Sequence, residues 1–163
     1  MHRKLVFPAL VAATLAIGSA GAGTLSPTFV VQVAIQNSCL ASFATVDFGT
    51  VTDASSLSNS AAGSVTCTNV GPVTVTFGNG TGGGTAAAGR KMANGANTIT
   101  YNLYKEVAHT NILGDGTGGT VNANFTSVAA TANPITVYGL TAAAQSGKPT
   151  GLYQDTITVT VGF

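Results

Sequence analysis

Apolar residues along this chain recur at every second position rather than at helical spacing. Phe29, Val31, Val33 and Ile35 alternate with Val30, Gln32, Ala34 and Gln36, the period-two signature of a strand with one buried face. Phe43–Phe48, ended by Gly49, is a second candidate strand and Val65–Thr68 a third. Val73, Val75 and Phe77 alternate with Thr74 and Thr76, and Ile99, Tyr101 and Leu103 with Thr100, Asn102 and Tyr104. Ile135 and Val137 follow Pro134, and Tyr153, Ile157, Val159, Val161 and Phe163 close the chain among Thr156, Thr158, Thr160 and Gly162. Glycine-rich turns separate these runs at Gly78–Gly84, Gly114–Gly119 and Gly147–Gly151. Beyond residue 22 no segment keeps apolar spacing of three and four over three turns. The pattern predicts an all-β sandwich, with threonine on half-exposed pleated faces.

Residues 1–22 read differently. Arg3 and Lys4 precede an apolar stretch from Leu5 to Ile17, and Ala20-Gly21-Ala22 has the small-residue form of a signal-peptidase site. Cleavage is expected between Ala22 and Gly23. The apolar stretch is shorter than the ~20 residues needed to span a bilayer, so export without direct membrane insertion is expected. Export favours a disulfide between Cys39 and Cys67, the two cysteines of the chain. Closing that loop would stabilise the fold by roughly 3–4 kcal/mol in the chain-entropy picture.

Composition narrows the function. Charged residues are 7% of the 163, against ~25% in ordinary soluble domains. A formal net charge of +1 gives no electrostatic case for nucleic acid. Two cysteines and two histidines supply neither a four-cysteine zinc site nor a three-histidine centre. So uncharged a surface suits a protein covered by copies of itself.

Motifs that carry chemistry are weak here. Gly78-x-Gly80-x-x-Gly83 and Gly114-x-Gly116-x-x-Gly119 match a dinucleotide-binding pattern, but neither precedes a helix whose N-terminus would meet a pyrophosphate. His109 has no nucleophile-elbow serine, since Ser55–Ser60 reads as a loop. Asp47, Asp53, Asp115 and Asp155 stand apart, with no pairing that suggests acid–base work. The doublet Arg90-Lys91 reads as a solvated turn. No catalytic residue, metal site or cofactor is expected, and the chain is not read as an enzyme.

The two ends of the mature chain carry the functional reading. It closes inside its most regular strand, Asp155–Phe163, so an unpaired edge and a groove are expected. It opens with an alternating strand whose Phe29, Val31, Val33 and Ile35 would contribute roughly 6–12 kcal/mol gross if buried, at ~1.5–3 kcal/mol each. Gln36, Asn37 and Ser38 alone separate that strand from Cys39, and three residues reach ~10 Å at most. This is too short to cross the domain and reverse. The strand is therefore expected to complete another copy by β-strand addition, and head-to-tail use of two different surfaces gives an open filament.

These residues resemble a known family. The strand Phe29-x-Val31-x-Val33-x-Ile35 before Cys39 is followed by Val46-Asp47-Phe48-Gly49 and Ser64-Val65-Thr66-Cys67. Then come Ile99-Thr-Tyr101-Asn-Leu103-Tyr104, Val137-Tyr138-Gly139 and Gly151-Leu-Tyr153-Gln-Asp155 leading into the closing strand. Together they resemble the spore coat protein U domain family, the pilin type of archaic chaperone–usher pili such as Csu. The resemblance implies an incomplete immunoglobulin-like β-sandwich lacking its last strand. It implies a signal peptide (1–22), a donor-strand segment (23–36) and a pilin domain (37–163). Phe29, Val31, Val33 and Ile35 would be donor residues, Cys39 and Cys67 the family's bridge, and Ile157, Val159, Val161 and Phe163 the groove-edge C-terminal strand. The implied partners are a periplasmic chaperone, an outer-membrane usher and further copies of the chain. The implied place is a cell-surface fimbria serving adhesion and biofilm formation. The alternative is a secreted spore-coat, matrix-type or carbohydrate-binding sandwich that folds as a monomer.

Overall fold

The computed structural model describes residues 24, 26–52, 56–143 and 147–163. The expected leader over 1–22 and its cleavage point at Ala22 and Gly23 lie outside the described residues. The chain divides into two units, residues 1–34 and 35–163.

In the first unit the described residues form no strand, and the side chains of Phe29, Val31 and Val33 stand open to solvent. A strand is held by hydrogen bonds to a neighbour, so alternation alone does not give one.

The second unit is built of antiparallel strands, with no helix among the described residues. They are β1 (Cys39–Phe43), β2 (Ser58–Cys67), β3 (Gly71–Phe77), β4 (Gly84–Thr85), β5 (Gly89–Asn94), β6 (Asn97–Tyr104), β7 (Ala123–Ser127), β8 (Ala132–Thr141) and β9 (Val159–Gly162). One sheet runs β1-β2-β8-β6-β5-β4 and the other β7-β3-β9. Val65 of β2, Val73, Val75 and Phe77 of β3, Leu103 of β6 and Val137 of β8 share one buried core. Alternation decides which face each strand buries: in β3 the valines and Phe77 are inside while Thr74 and Thr76 are half-buried. Cys39 and Cys67 are register partners across β1 and β2 and form a disulfide.

Several boundaries differ from the sequence pattern. The strand expected over Phe43–Phe48 runs instead over Cys39–Phe43, because β2 offers pairing partners as far as Gly63. β2 begins at Ser58, inside the serine cluster read as a loop, because the second half of β8 supplies a ladder there. The closing strand is short: β9 covers Val159–Gly162, which leaves Ile157 and Phe163 outside it. Arg90-Lys91 is no solvated turn. It lies on β5 opposite Tyr101 and Thr100, and Arg90 is fully buried.

Candidate functional site

A cleft of about 1050 Å³ opens in the second unit. One wall is the chain that follows β1, from Phe43 to Val51. The other is the segment Gly151–Ile157 with Val159 of β9, and Phe77, Met92, Leu103 and Val137 line the space between.

The first wall is fixed by glycines that admit large side chains. A Cβ on Gly63 of β2 would lie 2.1 Å from the Phe43 ring, and one on Gly139 of β8 would lie 2.6 Å from Val46 and 2.8 Å from Phe48. Both positions must therefore lack a side chain for this segment to lie on the sheet. Phe43 meets Phe77 edge to face at 5.7 Å between ring centres, and Phe48 meets Tyr101 at 6.4 Å. Such pairs add about 0.5–1.5 kcal/mol beyond area burial.

The second wall hangs on one carboxylate. Asp155 Oδ1 accepts the backbone N–H groups of Thr81 at 2.6 Å, Gly82 at 2.8 Å and Thr156 at 2.8 Å. Asp155 Oδ2 accepts the Tyr101 hydroxyl at 2.7 Å. Gly80 lies against the same carboxylate at φ +90°, a backbone region open to glycine, and a Cβ there would sit 2.1 Å from Oδ2. Gln154 exchanges backbone hydrogen bonds with Ala93, and Gly78 N–H donates to Thr158 O at 2.9 Å. These bonds pin residues 154–158 before the ladder of β9 begins.

Arg90 braces the cleft from behind. Its Nε donates to Gly78 O at 2.9 Å, Nη1 to Asn102 Oδ1 at 2.7 Å, and Nη2 to Phe77 O at 3.1 Å and Leu113 O at 2.8 Å. Asn102 Nδ2 in turn donates to Ala86 O at 2.6 Å. One guanidinium thus joins the end of β3 to β5 and β6 of the other sheet. Burial lowers its pKa from the ordinary arginine range, while Tyr101 and Asp155 oppose that shift. Burial pushes the Tyr101 phenol far above its usual range, and its hydrogen bond to Asp155 pushes it further.

The cleft lies beside the end of the smaller sheet. β9 ends its sheet, with β3 as its neighbour among the described strands. Across the space, residues 44–51 form no strand. An end strand on one side and an irregular segment on the other therefore flank a floor lined by Phe77, Leu103 and Val137.

The expected groove residues separate on inspection. Ile157 and Val159 line the cleft. Val161 packs against the core, and Phe163 is 58% exposed beyond β9. Of the four expected donors, Phe29 is 86%, Val31 83%, Val33 87% and Ile35 80% exposed. The wall residues Phe43, Val46 and Phe48 and the Tyr101–Asp155 pair are additions of the structure. Their signal in the sequence is the Phe43–Phe48 run, read above as a strand, and the short motif Gly151–Asp155.

Comparison with known proteins places these features in context. The Spore Coat Protein U domain model matches residues 25–160. No curated protein matches the chain. Among solved structures, the chain is similar to one in the crystal structure of the CsuC–CsuE chaperone–tip adhesion subunit pre-assembly complex, from archaic chaperone–usher Csu pili of Acinetobacter baumannii. That likeness has a TM-score of 0.54 at 24% identity, over 79% of this chain and 40% of the other. The chain therefore spans less than half the length of the protein it matches, and the likeness shows a shared pilin-type, immunoglobulin-like fold.

Proposed function

Because the chain belongs to the Spore Coat Protein U domain family, we propose that it is a structural subunit of a chaperone–usher surface pilus. It polymerises when the N-terminal segment of one copy fills the cleft of the next. The observation that carries this reading is the apolar cleft between β9, the end strand of its sheet among the described residues, and the Phe43–Val51 wall. A cleft of this shape left to water exposes strand edge and core together, a hazard for any soluble domain.

The division of labour follows from the chemistry. Residues 1–22 direct export and are removed after Ala22. Residues 23–36 are the donor, with Phe29, Val31, Val33 and Ile35 facing the cleft floor. Residues 37–163 are the acceptor domain, with Ile157, Val159, Val161 and Phe163 along its C-terminal edge. A periplasmic chaperone lends a strand first and an outer-membrane usher exchanges it for the next copy. The fibre at the cell surface then serves adhesion and biofilm formation. The role is mechanical and calls for no catalysis and no cofactor.

Co-expression with a chaperone and an usher of the archaic type tests this reading. On a denaturing gel, unheated samples should show a ladder that collapses to a single monomer band on boiling, because added strands give high kinetic stability. A monomer band under both conditions would overturn it in favour of a self-contained secreted sandwich.

A further inference from the structure

The root of the N-terminal segment is anchored to the body. Asn37 Oδ1 accepts hydrogen bonds from Ser38 N–H at 3.0 Å, Thr68 Oγ1 at 3.1 Å and Asn69 N–H at 3.1 Å. Thr68 N–H donates to Ser38 O at 2.9 Å, and the disulfide follows at Cys39. Gln36 O also accepts from Asn69 Nδ2 at 3.5 Å, so the anchored root begins one residue after Ile35, the last apolar residue of the alternating strand. Two residues span ~7 Å at most. Any surface that takes up Ile35 must then lie almost against the face around Asn37.

That face is uncharged and carries two exposed valines. Val70 is 68% exposed and Val128 57%. They sit on turns tied to each other by Ser127 Oγ donating to Asn69 O at 2.8 Å and Ala130 N–H donating to Cys67 O at 2.8 Å. No charged residue occurs in 36–38, 68–71 or 127–133. Absence of charge with exposed aliphatic side chains marks the centre of an interface rather than a solvated loop cluster.

We infer that the Val70–Val128 face docks directly on the cleft mouth of the next copy, at Leu152. This rests on the donor-strand reading above and adds a rigid joint to it. Antiparallel pairing is the more stable arrangement per residue. A guest strand antiparallel to β9 brings its C-terminal end beside the segment that leads into β9. Leu152, in that preceding segment, lines the same cleft and is 71% exposed. The exposed valines at the end of one body thus meet Leu152 on the next, and the anchored Asn37 leaves little slack between them.

Cross-linking tests this in assembled fibres of the full chain. The native cysteines are already paired, so a short bifunctional maleimide reads introduced thiols alone. The double variant Val128→Cys/Leu152→Cys should give a ladder that survives boiling, and Val70→Cys/Leu152→Cys should do the same. Val107→Cys/Leu152→Cys, whose first thiol lies on a turn distant in sequence from the face, should not. An unheated ladder without covalent products in either pair would overturn the joint while leaving strand exchange intact. Equal cross-linking of the Val107 pair would overturn it as well. Loss of the ladder from unheated, unmodified protein would remove the donor-strand reading and this inference with it.

Discussion

Tyr101 donates its hydroxyl to Asp155 across 2.7 Å, joining the middle of one sheet to the segment that walls the cleft. The other oxygen of Asp155 gathers the backbone of the glycine-rich turn at Thr81 and Gly82. Three parts of the chain that lie far apart in sequence meet on one carboxylate. Its removal should therefore be felt at the wall rather than in the core.

Replacing Asp155 by alanine strands the Tyr101 hydroxyl and the Thr81 and Gly82 N–H groups. Hydrogen bonds to charged groups contribute about 1.5–3 kcal/mol each, and part of the site is open to water. A loss of about 2–3 kcal/mol is expected. Asp155→Asn should lose less, since one amide oxygen still accepts from the turn. Denaturant unfolding followed by circular dichroism orders the two variants, and amide exchange at Gly82 and Thr156 should quicken in both.

The raised pKa of Tyr101 sets an alkaline limit. The folded state favours the neutral phenol, so this contribution is complete below the ordinary tyrosine range near ~10. It is lost as pH rises from there toward the elevated folded value. Alkaline titration should show tyrosinate absorbance from one residue appearing only together with unfolding. Tyr101→Phe should remove that coupled step. A smooth titration of every tyrosine in the folded protein would contradict it.

How far the sequence reached depends on the kind of interaction. Period-two alternation revealed β3, β6 and β8, because each buries one pleated face and Val, Ile and Phe must point inward there. It missed β5 and β7: Met92 and Phe125 are half-buried, and around them run Gly, Ala, Asn and Thr. It over-read the closing strand, since Asp155–Thr158 alternates like a strand but is held by a carboxylate and single backbone bonds. Arg90 was legible only as a charge. Nothing local says that a lone arginine will find Phe77 O, Gly78 O and Leu113 O converging on it. The sequence reading places a groove beside the closing strand, and Ile157 and Val159 line the cleft. Its Phe43–Phe48 wall depends on Gly63 and Gly139, two distant glycines whose partners appear only in three dimensions.

Arg90 should tolerate no replacement. Arg90→Met fills similar space but takes the guanidinium donor from three backbone carbonyls and leaves Asn102 Oδ1 with Leu103 N–H alone, and unsatisfied buried groups cost about 1–3 kcal/mol each. Arg90→Lys keeps the charge but cannot direct donors along the guanidinium's fixed fork. Both variants should lose about 3 kcal/mol or more, with Lys no better than Met. Recovery of folded subunit and its thermal midpoint would show it. A lysine variant of unchanged stability would mean that charge, rather than the fork, is what the site needs.

The donor assignment makes the sharpest demand. Val31 and Val33 are exposed in the single chain, so replacing both by aspartate should leave the subunit's own unfolding transition where it was. In the fibre the same side chains would enter an apolar cleft. Burying an unpaired carboxylate there costs far more than the valine gained. Val31→Asp/Val33→Asp should therefore abolish the ladder in unheated samples while folded monomer still accumulates. Gln32→Asp, on the opposite face of the same segment, should assemble. Normal fibres from the double variant would remove Phe29, Val31, Val33 and Ile35 from the role of donors. Loss of fibres from Gln32→Asp alone would reverse which face of the segment enters the cleft.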